Sequence, residues 1–300
     1  MNRRRFVGQS IGAVYLTSTL IGEVVACASS TIPPPLNKKS LKWWMIKEDL
    51  SVLEKFKLVR DLGFDGIELD SPDDIDISEV MQAMDVTGLK VPGLVNSIHW
   101  KKPFSHPDSV VRQECADAMK SAFQLCEKLG GDTVLLVPAV VSREVTYDEA
   151  WERSTEEIRK LLPSAEKHNI RIAIENVWNN FLLSPLEAKM YIDQFESDLV
   201  GWYMDIGNVI RYGFPEQWIK ILGKRIFKVD IKDYSTDLAN EKGVWKGFEA
   251  KLGEGSVDWA AVNQALLDVG YNGWGSAEVS GGDRERLADI SNRMDKLYAS

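Results

Sequence analysis

The chain has 300 residues, 44% hydrophobic and 27% charged, and carries a formal net charge of −9 at neutral pH. This composition suits one globular α/β domain and excludes a chain built mainly to bind nucleic acid, because no Lys/Arg cluster appears beyond the first few residues.

Arg3-Arg4-Arg5-Phe6 precedes an apolar run, Ile11 to Ile21, that is too short for a mature membrane span, so residues 1–27 read as an export signal. The arginine pair before Phe6 resembles a twin-arginine signal, and Val24-Val25-Ala26-Cys27 resembles a lipobox. The expectation is an exported, periplasmic protein, with a lipid anchor on Cys27 as its one candidate membrane contact. Removing residues 1–26 takes away three arginines and Glu23 and moves the formal charge to −11. Residues 28–40, with Pro33-Pro34-Pro35, read as a stiff tether, and residues 41–300 as the folded domain.

Within that domain, strands and helices alternate. Leu41 to Ile46 reads as the first strand and Lys47 to Leu62 as the first helix, stopped by Gly63. Gly66 to Leu69 and Lys90 to Val95 read as strands two and three, around a helix from Ile77 to Thr87. Pro107 to Leu129 is the longest helix, and Cys115 and Cys126 on it stand about 16 Å apart along the axis, too far for a disulfide. Thr133 to Val137 is a wholly apolar fourth strand, as expected for a strand buried on both faces. After a helix from Tyr147 to Lys167, Arg171 to Glu175 is strand five, and Ser184-Pro185 opens the next helix. Strand six ends at Asp205, strand seven at Asp230 and strand eight at Glu278, with helices over 215–222, 256–269 and 283–298. Eight such units predict a single (β/α)8 TIM barrel.

Strands five to eight share one pattern: a run of strand formers ends in an acidic residue, Glu175, Asp205, Asp230 or Glu278. In a parallel barrel all four converge on the C-terminal mouth, and convergent carboxylates hold a divalent metal. Glu175 and Glu278 come from strands three apart in a ring of eight, so they approach a central ligand from opposing sides. That placement suits removal of a proton from one face of a carbon and delivery to the other, through an enediolate stabilised by the metal. Glu68, Asn96, His99 and Lys101 end or follow strands two and three and are candidate substrate contacts. Trp100, Trp178 and Trp245 lie in loops after strands, where an indole can stack on a sugar ring, and Trp43 or Trp44 can join them. His106 and His168 read as structural.

These stretches resemble the sugar isomerases and epimerases of the xylose isomerase-like superfamily, keto-sugar 3-epimerases among them. The resemblance runs from about Leu41 to the C-terminus. It is carried by Glu175-Asn-Val-Trp-Asn179, Leu182-Leu-Ser-Pro-Leu186, Asp205-Ile-Gly-Asn208, Tyr212-Gly-Phe-Pro-Glu-Gln-Trp218, Gly223-Lys-Arg-Ile226 and Leu252-Gly-Glu-Gly255. It implies a metal held by Glu175, Asp205, Asp230 and Glu278, with the two glutamates also resembling the acid/base pair. The family's His-x-Lys-Asp motif reads Asp230-Ile-Lys-Asp233 here. Aspartate for imidazole makes the shell all-oxygen, favouring Mn, Mg or Ca over Zn. Lys232 matches the motif, and Asn208 stands where some relatives carry a histidine; both are candidate substrate contacts. Three histidines cannot furnish the His-rich trinuclear zinc site of the superfamily's abasic-site endonucleases, which disfavours that activity.

The reading is therefore a metal-dependent isomerase or epimerase of a free keto-sugar or glycoside. Its alternatives are an exported lyase of 3-keto-glycosides, using the same proton abstraction followed by elimination, and a sugar-binding lipoprotein without activity. The sequence assigns no oligomeric state.

Overall fold

Eight strands alternate with helices in the computed structural model, which describes residues 34–300. The strands are β1 (Leu36–Lys42), β2 (Gly66–Ser71), β3 (Gly93–Asn96), β4 (Thr133–Leu136), β5 (Arg171–Glu175), β6 (Val200–Asp205), β7 (Ile226–Ile231) and β8 (Gly273–Ala277). Each pairs in parallel with the next, and β8 pairs back with β1, closing a barrel. The expected TIM barrel is the observed fold. The signal, the lipobox cysteine and the start of the tether fall on residues 1–33, outside the described residues.

The helices are α1 (Val52–Asp61), α2 (Ile77–Thr87), α3 (Ser109–Lys128), α4 (Tyr147–His168), α5 (Pro185–Asp193), α6 (Ile206–Val209), α7 (Pro215–Leu222), α8 (Thr236–Lys242), α9 (Trp259–Asp268) and α10 (Arg284–Tyr298). Their start signals are mostly local. Ser51 and Glu54 form a reciprocal capping box at the start of α1, which therefore begins at Val52 rather than Lys47. Cys115 and Cys126 are buried on α3 as free thiols. His106 accepts from the backbone N–H of Asp108, and His168 pairs with Glu127. No helix among the described residues is long and apolar enough to cross a membrane.

The first strand departs from expectation. It spans Leu36–Lys42, so it starts inside the stretch read as tether and overlaps the expected strand only at Leu41 and Lys42, and Trp43–Met45 is a 3-10 turn. Periodicity misplaces this strand because Ser40 and Lys42 are its buried, inward residues, so its inner face looks like an outer one. The register sets Lys42 beside Glu68 and Asp205 beside Asp230.

Most of the apolar core lies between the strands and the helix ring. A separate lumen cluster of Leu135, Ala173 and Tyr203 packs inside the barrel against Val95 and Phe227. Lys42, Glu68, Lys228 and Asp230 are also buried, which gives this barrel an ionic interior. Room for one ammonium is made at Gly93, where an added Cβ would stand 3.0 Å from Lys228 Nζ and 2.7 Å from the carbonyl oxygen of Thr133.

Candidate active site

Glu175 and Asp205 end β5 and β6, Asp230 is the next-to-last residue of β7, and Glu278 follows β8. Each offers one carboxylate oxygen, and these four atoms lie within 4.8 Å of one another. Backbone contacts fix Asp205 in particular. Asn176 accepts from the Asp205 N–H at 3.0 Å and donates to its carbonyl at 2.7 Å, while Asp205 Oδ1 caps α6 by accepting from the Asn208 N–H. A Cβ at Gly207 would stand 2.8 Å from Lys232 Cγ, so this glycine leaves the space through which the Lys232 side chain runs.

Two lysines serve three of the four carboxylates. Lys232 Nζ lies 2.7 Å from Asp205 Oδ2 and 2.6 Å from Glu278 Oε2. Lys42, from β1, donates to Glu68 Oε2 at 2.7 Å and lies 2.9 Å from Asp230 Oδ1. Tyr203 donates to Glu68, completing its partners. Glu68 is thus a lumen residue beneath the site, with its carboxyl held down at about 2: burial opposes the charge, and Lys42 and Lys228 outweigh burial.

The same contest has a different outcome among the four. Burial, reinforced by Glu278, Asp230 and Asp205, pushes the Glu175 carboxyl well above the usual range. Burial also raises Asp230 well above that range despite Lys42. Asp205 is raised to about 6, again by burial acting against Lys232. At Glu278, burial is outweighed by Lys232 and Lys42, and the carboxyl stays below its ordinary value. The two glutamates are therefore driven apart in proton affinity.

These groups fit a divalent cation. Asp205 Oδ2, both Asp230 oxygens and Glu278 Oε2 are buried without a hydrogen bond, since the neighbouring ammoniums stand at ion-pair distance but off the hydrogen-bond direction. Glu68, Glu175, Asp205, Asp230 and Glu278 oppose Lys42, Lys228 and Lys232, a formal excess of two negative charges that one divalent ion would cancel. Hard oxygen donors of this kind suit such an ion.

Above the carboxylates is a cavity of about 430 Å³, floored by Glu175, Glu278, Lys232 and Asn208. Its walls include Trp44, Trp100, Trp178 and Trp245, together with Phe248. Asn208, Lys232 and the three tryptophans expected from the sequence thus line one pocket with the two glutamates. Other expected contacts lie elsewhere. Asn96 is buried and caps its own loop by accepting from the Ile98 N–H. His99 is buried, accepts from the Val137 N–H, and is pushed down to about 3, first by burial, so it is a neutral structural group. Lys101 is exposed and outside the cavity lining. Spacing identifies which strand ends; it does not give the depth or direction of each side chain.

Sequence reading missed Lys42 and Phe248. Lys42 was hidden by the shifted first strand. Phe248 enters on a 3-10 segment, Val244–Glu249, inside the long loop after β7. Asp233 holds that loop by accepting from the N–H groups of Gly253 and Gly255 and from Trp259 Nε1, which gives the last residue of Asp230-Ile-Lys-Asp233 a structural task.

The sequence pattern of the family described as "Xylose isomerase-like TIM barrel" matches residues 56–297. A putative L-ribulose-5-phosphate 3-epimerase of Escherichia coli K12 is 26% identical over 242 residues, covering 76% of this chain and 83% of that protein. The crystal structure of a 3-keto-D-glucoside 4-epimerase from E. coli superposes with a TM-score of 0.74 at 18% identity, over 88% of this chain and 99% of that one. The IOLI protein with a bound zinc atom superposes with a TM-score of 0.71 at 20% identity, over 88% and 98%. At these identities the structural likeness is one of fold.

The ion-pair geometry predicts that Lys42→Met strands Glu68 and Asp230 and costs about 3–5 kcal/mol of stability. Adding Asp230→Asn removes one stranded charge and should recover part of that loss in urea unfolding. A double variant as unstable as the sum of both singles would show that Lys42 and Asp230 do not interact.

Proposed function

The chain belongs to the xylose isomerase-like TIM-barrel family, and from that premise we propose that it is a sugar epimerase or isomerase that depends on one divalent metal. The observation that carries the reading is the convergence of Glu175, Asp205, Asp230 and Glu278, of which Glu175 and Glu278 also line a sugar-sized cavity. The names of the relatives, an L-ribulose-5-phosphate 3-epimerase and a 3-keto-D-glucoside 4-epimerase, support the same class of reaction.

Glu175, Asp205, Glu278 and Asp230, the last through Oδ2, would hold the ion. When bound, it supplies Lewis-acid polarisation of a substrate carbonyl and its neighbouring hydroxyl. Manganese, magnesium or calcium suits this oxygen shell better than zinc. The carboxylates of Glu175 and Glu278 handle the proton: one takes it from the carbon next to the carbonyl, and the other returns one from the opposite side. Which glutamate does which depends on the direction of reaction. The Lys232 ammonium offsets negative charge that develops on the enediolate, and Asn208 offers a side-chain amide to a hydroxyl. The tryptophan walls exclude water from the reacting face.

Lys232 is the one cation in the cavity lining among the described residues, and it already serves Asp205 and Glu278. A free sugar or glycoside therefore suits the pocket better than a phosphate ester. The twin-arginine-like front of the chain adds an exported location to the proposal.

Two outcomes test this reading. Asp230→His should move metal preference toward zinc or cobalt, and an unchanged order in competition titrations would remove Asp230 from the shell. Glu175→Gln and Glu278→Gln, each loaded with metal, should lose about 10²–10⁴ in solvent-deuterium exchange into keto-sugars. Wild-type exchange in both variants would point to another base, Lys232 first.

A further inference from the structure

We propose that Lys232 is an exchangeable internal cation: its ammonium bridges Asp205 and Glu278 until a divalent ion takes the same two oxygens, and it then moves up into the cavity as a contact for the substrate. This concerns the regulation of the site described above and rests on the metal-dependent reading for the ion.

Lys232 and a divalent ion claim the same atoms. Nζ stands 2.7 Å from Asp205 Oδ2 and 2.6 Å from Glu278 Oε2. Asp205 is held with Oδ2 toward the cluster, because Oδ1 accepts from the Asn208 N–H at 2.9 Å and Asn176 fixes the Asp205 backbone through both its N–H and its carbonyl. A hard divalent ion bonds a carboxylate oxygen at about 2.1 Å, so an ion on Oδ2 lies within about 5 Å of Nζ whichever side it approaches from. A double and a single positive charge that close, in a largely buried place, repel strongly. The lysine also leaves its partners half served. Asp205 Oδ2 and Glu278 Oε2 are buried without a hydrogen bond, so the ammonium offsets their charge without filling their lone pairs, whereas a coordinated ion does both.

The side chain is anchored at its stem and has somewhere for its tip to go. The stem passes Gly207, where an added Cβ would stand 2.8 Å from Lys232 Cγ. Rotation about the bonds beyond Cγ swings the ammonium upward, and the Phe248 ring is already 5.6 Å from Nζ, within reach of a cation–π contact. Both residues line the cavity. Lys42 is the contrast. Its side chain is 1% exposed against 17% for Lys232, it is paired with Glu68 and Asp230, and it is absent from the cavity lining.

Charge decides what the released ammonium can take. With an ion bound, its two positive charges and three ammoniums balance five carboxylates, so a phosphate dianion meets no net attraction. One ammonium suits instead a sugar oxygen that gains negative charge during reaction. Ion and substrate are then taken in order, because the ion frees the cation that the substrate meets.

Two measurements on the full chain test the exchange. In calorimetry with manganese, Lys232→Met should bind the ion about tenfold tighter than the native chain, and manganese should raise the urea midpoint of the variant by more. Equal or weaker binding would overturn the exchange, since a lysine that only holds the acids in place weakens binding when it is removed. The second measurement needs no variant. Acetylation of amines in the native chain, read residue by residue by mass spectrometry, should rise severalfold at Lys232 when manganese is added and fall back with a chelator, while exposed Lys101 stays constant. Equal labelling of Lys232 with and without manganese would overturn the exchange whatever the variant does. The epimerase reading fails separately: it falls if no keto-sugar exchanges deuterium while Lys232 responds to manganese, and it stands if deuterium exchanges with no response at Lys232.

Discussion

Charge compensation inside the barrel is the constraint on which the rest of the molecule depends. Burying a carboxylate without a partner costs several kcal/mol, and five are brought together here around three ammoniums. Each lysine is therefore as much a part of the site as the acids. Lys42 reaches from β1 across to Glu68 and Asp230, and Lys232 runs over Gly207 to bridge Asp205 and Glu278. Asp230 and Lys42 together contribute no net formal charge.

Around that ionic floor the chain spends most of its ordering on holding loops still. Asn176 clamps both backbone groups of Asp205, and Asp233 gathers the far end of the long loop after β7. The second of these brings Trp245 and Phe248 over the cavity, where they meet Trp178 from β5. Metal-type ligands and aromatic walls are therefore connected through a few hydrogen bonds from residues adjacent to the carboxylates. This ties the position of the walls to the position of the chemistry.

Much of this could be read from the sequence, for identifiable reasons. Short apolar runs ending in one acid at Glu175, Asp205, Asp230 and Glu278 reveal both the strand and its mouth-facing end, because a buried parallel strand tolerates a charge only where it emerges. The tryptophans after β3, β5 and β7 were legible for the same reason. The first strand was not, since its inward residues are Ser40 and Lys42, and a lysine inside a barrel contradicts the usual pattern. Glu68, Asn96 and His99 were placed at the mouth because they end or follow strands. Glu68 instead sits level with Lys42, and the other two turn into backbone contacts. Depth along a strand is set by barrel register, which depends on pairings between residues far apart in sequence.

The measurement closest to the central claim is a crystal structure of the protein soaked in manganese, with anomalous scattering used to locate the ion. The account predicts one strong peak bonded by Glu175, Asp205 and Glu278, with Asp230 contributing its Oδ2 and Lys42 still beside Oδ1. A clean map with no peak among the four carboxylates, and Lys232 still bridging Asp205 and Glu278, would contradict it.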